Sequence, residues 1–185
     1  NYLISKSGEI NSKYLEIGCN KNALFDSVAS LNKTGVDPEK GGTHRMTSDE
    51  FFLKNKEVFD VIFVDGLHEY HQVHTDAINA LKAVKVGGYV AFHDFLPYNW
   101  IHQHVPRLND KTWNGDCWKL ASQLKESKGI EFFILEIDGG VGVVKKLSNE
   151  FQVPDFSEEL KSSEFDKFVS IVDDLPVISY AEGIK

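Results

Sequence analysis

Alternation of short apolar runs with helical patterns is the feature that most limits what this chain can fold into. Strand-like runs fall at 13–18, 33–37, 44–47, 59–65, 88–93, 131–137 and 141–146. Two of them, Val61-Ile62-Phe63-Val64 and Tyr89-Val90-Ala91-Phe92, are apolar without interruption, as strands covered on both faces should be. Between the runs, Val73, Ala77, Leu81 and Val84 share one helical face and lead to a stop at Gly87-Gly88. Cys117, Ala121 and Leu124 mark a second amphipathic helix after the Asn114-Gly115-Asp116 turn, and Ser48 reads as an N-cap followed by the acids Asp49 and Glu50. Strands separated by helices connect by right-handed crossovers, so the expected fold is α/β with a doubly wound, mostly parallel sheet. The last two runs are separated only by Asp138-Gly139-Gly140 and must form an antiparallel hairpin.

No repeat, low-complexity tract or linker divides the chain, so residues 1–150 are expected to form one domain. Residues 151–185 form a helical extension. Within it Phe165, Phe168, Val169 and Val172 suggest one amphipathic helix that docks on the core or on a second subunit, the latter making a homodimer. At 185 residues and 42% hydrophobic the chain can bury a real core. A net charge of -8, with no Lys/Arg cluster, argues against a nucleic-acid partner, whose phosphates would be repelled. No apolar run approaches the ~20 residues that span a bilayer. Two cysteines, Cys19 and Cys117, make no disulfide framework, and a reducing, cytoplasmic compartment is expected.

Ligands of open α/β sheets bind outside the carboxyl ends of the strands, so the residues ending each strand carry the functional reading. The first strand ends Glu16-Ile17-Gly18-Cys19-Asn20, where Gly18 lets a ligand approach the backbone or simply makes a turn. Asn20 and Asn22 stand where further glycines would be expected. Asp37 lies nineteen positions after Gly18, placed to accept hydrogen bonds from a ribose diol or to shape an Asp-Pro turn. Asp65 ends the fourth run, and His93-Asp94 end the fifth. If these strands are neighbours, their ends lie ~4.8 Å apart, and Asp65, His93 and Asp94 converge on one divalent cation or cap the sheet edge by hydrogen bonds. His68, His71 and His74 do not share one helix face. His71 and His74 read as solvated, whereas His68 sits in the loop beside Asp65 and suits a general base. The nineteen residues from Phe95 to Trp113 hold Tyr98, Trp100, His102, His104 and Arg107, a substrate lid or a packed surface loop.

The order of these motifs across residues 13–146 resembles the class I S-adenosylmethionine (SAM)-dependent methyltransferases. The block Phe59-Asp60-Val61-Ile62-Phe63-Val64-Asp65-Gly66-Leu67-His68-Glu69-Tyr70, with Val86-Gly87-Gly88-Tyr89 and His93-Asp94, looks most like the branch containing macrocin O-methyltransferase and the cephalosporin hydroxylase-like proteins. The resemblance implies a Rossmann-like sheet in the order 3-2-1-4-5-7-6 with strand 7 antiparallel. It implies that Glu16 and Gly18 line the methionine end of SAM, that Asn20 is among the cofactor-binding residues, that Asp37 holds the ribose, and that Ser48 and Asp49 flank the adenine. It also implies Mg²⁺ or Mn²⁺ at Asp65, His93 and Asp94, and His68 and Asp65 as catalytic residues acting on the hydroxyl of a small-molecule acceptor. Two departures stand out: Asn20 and Asn22 replace glycines, and the connection from Pro38 to Thr43 is too short for a helix. The competing readings are a catalytically degenerate binding module and a nicotinamide-dependent oxidoreductase. The second needs a glycine-rich pyrophosphate turn that this chain lacks.

Overall fold

The computed structural model describes residues 1–108 and 111–185. Among the described residues one seven-stranded sheet organises the chain: β1 (Lys13–Ile17), β2 (Asn32–Val36), β3 (Phe59–Val64), β4 (Val84–Phe92), β5 (Ile130–Leu135), β6 (Val141–Lys146) and β7 (Val177–Ile178), in the order β2-β1-β3-β4-β6-β5-β7. The pairs β1–β2, β1–β3 and β3–β4 are parallel. β6 runs antiparallel to both β4 and β5, the short five-residue connection 136–140 joining it to β5 as a hairpin. The helices are α1 (Tyr2–Ser7), α2 (Ala23–Ser27), α3 (Ser48–Lys54), α4 (Tyr70–Ala83), α5 (Trp100–Gln103), α6 (Trp118–Lys125), α7 (Ser157–Leu160), α8 (Phe165–Ile171) and α9 (Tyr180–Gly183).

The main core is built where the apolar strands meet α4 and α6. Leu15, Ile62, Leu81, Val90, Phe92, Trp118, Leu120 and Ile134 are all fully buried in it. Burying each such side chain contributes roughly 1.5–3 kcal/mol, and this anchors the carboxyl ends of β1, β3 and β4 in one row. The ladder continues one residue past each strand: Gly18 N–H donates to Val36 O at 2.9 Å, Asp65 N–H to Ile17 O at 2.8 Å, and His93 N–H to Val64 O at 3.1 Å. Backbone pairing therefore sets the glycine turn, Asp65 and His93 side by side.

Four details depart from the sequence reading. Residues 44–47 form no strand; His44 makes one isolated parallel bridge with Val36, so the expected third strand shrinks to a single contact. α4 stops at Ala83, because Val84 already pairs with Phe59 in β4, and Gly87-Gly88 lie at a register shift within that strand rather than at the helix end. The cap of α3 is Thr47, not Ser48: its hydroxyl accepts from Glu50 N–H while the Glu50 carboxylate accepts from Thr47 N–H. The C-terminal segment supplies a strand as well as helices, with β7 pairing parallel to β5 at the sheet edge. Leu160, Phe168 and Leu175 of that segment are buried, and Phe168 packs on Trp118 at 5.5 Å, whereas Val169 faces solvent.

Candidate active site

The glycine turn comes first. Gly18 has φ +87°, and a Cβ on it would lie 2.0 Å from the Asp65 carbonyl oxygen. The glycine is thus required by the neighbouring strand end as well as by its own backbone. Asn20 (φ 46°) and Asn22 (φ 63°) are left-handed, the conformation that asparagine tolerates best after glycine. The two asparagines that break the glycine pattern therefore preserve the backbone shape glycines would give. Asn22 adds a tie, its Oδ1 accepting from Gly42 N–H at 2.7 Å.

Asp37, buried at the end of β2, accepts from the backbone N–H of Asn20, Glu39 and Lys40, each at 2.8 Å. Burial works to raise its pKa, but these backbone donors and Arg45 win, and the carboxyl is held below its usual range. The carboxylate stitches the turn after β1 to the turn after β2, with about one of its four acceptor positions left open. Glu16 is buried in β1. Its Oε2 accepts from the Tyr14 hydroxyl at 2.5 Å, and burial raises its pKa. Ser48 and Asp49 open α3 and face α4: Gln72 Nε2 lies 3.3 Å from Ser48 Oγ, 3.2 Å from Asp49 Oδ1 and 3.2 Å from Asp76 Oδ1. Burial pushes the Asp76 carboxyl up to about 6. Gln72 and Asp76 were absent from the sequence reading, because only the packing of α3 on α4 turns them towards this turn.

Between β3 and β4 lies a cluster of two carboxylates and two imidazoles. His68 Nε2 is 3.2 Å from Asp65 Oδ1, and His68 Nδ1 is 3.0 Å from Asp94 Oδ2. His93 Nδ1 is 3.1 Å from Asp94 Oδ2 and 3.4 Å from Asp65 Oδ1, and its Nε2 is 3.2 Å from Asp138 Oδ2. Asp65, His68 and Asp94 each present a ligand atom within 4.8 Å of the other two. Sequence reasoning put His93 third in that set; the fold brings His68 there and keeps His93 alongside. His93 Nδ1 is attracted by both carboxylates but is buried without an aligned hydrogen-bond partner among the described residues. Burial works to lower both imidazole pKa values, yet Asp65 and Asp94 outweigh it and carry His68 up to about 9 and His93 up to about 11. The same pairing outweighs burial at Asp65 and Asp94, whose carboxyls are held down. Asp94 also occupies a left-handed backbone (φ 68°), a cost that persists where surrounding contacts impose it.

Those contacts come from the segment after α5. Asn114 Nδ2 donates to Asp94 Oδ1 at 2.6 Å. The Trp113 ring stacks on His68 at 5.3 Å and 13°, and the Trp113 carbonyl is 3.0 Å from His68 Nδ1. Asp116 Oδ1 accepts from Tyr70 N–H at 2.6 Å, supplying the N-terminal cap that Glu69 does not give α4. A Cβ on Gly115 would strike the His68 carbonyl, so the chain can press against His68 only with glycine there. His71 is exposed and His74 half-buried beside the Tyr70 ring, and neither joins the cluster.

A mostly parallel sheet closed by an antiparallel hairpin, with acids at the carboxyl ends of its central strands, defines the class I methyltransferase fold. Residues 22–95 match the family model described as a methyltransferase domain. An uncharacterized protein R132 of Acanthamoeba polyphaga mimivirus is 40% identical over 50 residues, which are 27% of this chain and 23% of that protein. Among solved structures, an O-methyltransferase from Bacillus cereus in complex with SAH superposes with a TM-score of 0.57 at 12% identity, over 78% of this chain and 77% of that one. The MycE methyltransferase of the mycinamycin biosynthetic pathway, in complex with Mg and SAH, gives 0.53 at 16% identity, over 88% of this chain and 52% of that one. Among the described residues no helix is long and apolar enough to cross a membrane.

Proposed function

We propose that this chain transfers the methyl group of SAM to a hydroxyl of a small-molecule acceptor, with a divalent cation held by the carboxylates of Asp65 and Asp94 and with His68 beside them as the base. The observation that carries the reading is the convergence of those three side chains on the row of strand ends that begins at the Gly18 turn. The solved relatives with SAH, and the Mg of MycE, support it. Bound SAM supplies an already activated methyl on sulfur, so the protein's task is alignment and removal of the acceptor proton.

The left-handed turn from Gly18 to Asn22 and the buried Asp37 form the nucleoside cradle, the open acceptor position of Asp37 suiting a ribose hydroxyl. Glu16 and Asn20 border the methionine end, and Ser48 and Asp49, backed by Gln72 and Asp76, border the adenine. The two carboxylates suit Mg²⁺ or Mn²⁺, and the unaligned His93 nitrogen leaves a polar group that an ordered ligand would satisfy. Such a cation polarises a bound hydroxyl. The positive charge of such a cation on Asp65 and Asp94 would lower the His68 pKa from about 9 and leave a neutral ring nitrogen to take the proton of that hydroxyl, and Asn114 and Trp113 hold Asp94 and His68 in place for it. A cytoplasmic setting belongs to the same reading, both cysteines being free and buried.

Calorimetric titration with SAM, with and without Mg²⁺, tests the assignment. Saturable SAM binding is expected, weakened by about 1.5–3 kcal/mol in Asp37→Ala, the loss typical of a hydrogen bond to a charged group. NAD displacing SAM, or unchanged affinity in the variant, would refute the reading.

A further inference from the structure

Gln103, Lys119 and Gln123 are the buried polar side chains of α5 and α6 among the described residues, and each holds two partners, one of them in the C-terminal segment. Gln103 Oε1 accepts from Trp118 Nε1 at 3.2 Å while its Nε2 donates to Glu164 at 3.4 Å. Lys119 Nζ pairs with Asp116 Oδ2 at 2.9 Å and donates to Lys161 O at 3.4 Å. Gln123 Oε1 accepts from the Tyr70 hydroxyl at 2.9 Å while its Nε2 donates to Pro154 O at 2.8 Å. The last two ties lead to the candidate centre. Tyr70, the first residue of α4, is held by Asp116 at its N–H and by Gln123 at its hydroxyl. Asp116 N–H in turn donates to His68 O at 3.3 Å.

Docking of the segment does not need these ties. Leu160, Phe168 and Leu175 already bury apolar surface there. A buried ammonium and two buried amides carry a desolvation cost that their partners do little more than offset, and apolar groups in place of a buried ion pair are often neutral or stabilising. What a hydrogen bond adds is position: apolar burial is non-directional and tolerates sliding, whereas a donor and its acceptor must meet at one distance and angle. The groups fixed in this way surround His68, with Trp113 stacked on its ring and Asp116 on its carbonyl.

We infer that the C-terminal segment holds His68 in place, acting through Lys119 and Asp116 and through Gln123 and Tyr70, so that Lys119 and Gln123 are positioning residues of the centre. The inference rests on the methyltransferase reading for what His68 does, and on the two chains of contacts alone for where it is held. Phe168 and Leu175 dock the same segment by apolar contact and take no part in the positioning.

The test reads the place of the His68 ring in the full chain, by nuclear magnetic resonance of the histidine ring protons at one fixed pH. The Trp113 ring stacked on His68 displaces those protons upfield. His68→Gln identifies the signals, and Trp113→Leu gives their position without the stack. Lys119→Met and Gln123→Met keep apolar bulk and remove one tie each. In both, the His68 signals are expected to move towards their place in Trp113→Leu, and to move furthest in the double variant. In Leu175→Ala, which loosens the segment without cutting a tie, they should stay where the unsubstituted chain has them. Signals unmoved in both methionine variants, or moved as far in Leu175→Ala, would overturn the inference. If one methionine variant unfolds, the other decides; unfolding of both would make the ties a matter of stability alone and overturn it too. SAH titrated into the same samples should bind with unchanged affinity, and a loss confined to the methionine variants would show general disruption and count against the inference. SAH binding to none of the samples sinks the methyltransferase reading while the place of His68 is still read, whereas SAH bound with His68 unmoved sinks the positioning alone.

Discussion

The two halves of the sheet are built on different terms. On one side, β2, β1, β3 and β4 run parallel, and their ends are aligned by consecutive backbone hydrogen bonds. On the other, β6 runs against both of its neighbours, β4 and β5, and the edge is closed by β7, a strand contributed from far along the chain and parallel to β5. The parallel half concentrates left-handed backbone and buried acids: Gly18, Asn20, Asn22, Asp37 and Asp94. A rigid backbone scaffold suits a cofactor of fixed shape.

Substitutions sharpen that contrast. The largest effect is expected at Gly18→Ala, where the new methyl meets the Asp65 carbonyl on a left-handed backbone. Denaturant unfolding should register a loss of about 3 kcal/mol or more. A loss under 1 kcal/mol would mean that the strand ends are not locked together. His68→Gln should cut turnover by on the order of 10²-fold while leaving SAH affinity intact, because general-base catalysis is typically worth that much. His71→Gln should be silent, and matching behaviour of the two variants would remove His68 from its role.

Asp76 offers a pH test away from the cluster. Its folded pKa, raised by burial to about 6, lies above the ordinary carboxyl value of 3.8. A raised acid contributes stability that is fully present below about pH 4 and lost as pH rises through about 6. Asp76→Asn should therefore stabilise the protein at pH 8 by up to about 3 kcal/mol, from a shift of roughly two units at 1.36 kcal/mol each, and give no gain at pH 4. Stability curves that stay parallel across this range would contradict it. The smallest effect belongs to Asn20: replacement by Gly should be neutral within about 0.5 kcal/mol, and replacement by Ala should cost about 1 kcal/mol.

The parallel half was the readable one. Apolar runs announced β1 to β6 to within a few residues, and the strand-end positions of Asp37, Asp65, His93 and Asp94 followed from those runs alone. What escaped depends on contacts between distant segments. Trp113, Asn114 and Asp116 surround His68 and Asp94 from more than 19 residues away in sequence, and no local pattern marks them as partners. β7 is two residues long and exists because it pairs with β5. Residues 44–47 carried strand propensity, but only His44 found a neighbour. Val84 belongs by spacing to the helical face of α4 and by hydrogen bonding to β4, and the sheet prevailed.

Amide hydrogen exchange with and without SAH tests the division of labour most directly. Protection should rise at residues 18–22, 37–42 and 48–50 in the parallel half and stay unchanged along β5, β6 and β7. Protection confined to the antiparallel half, or none in either, would contradict the account.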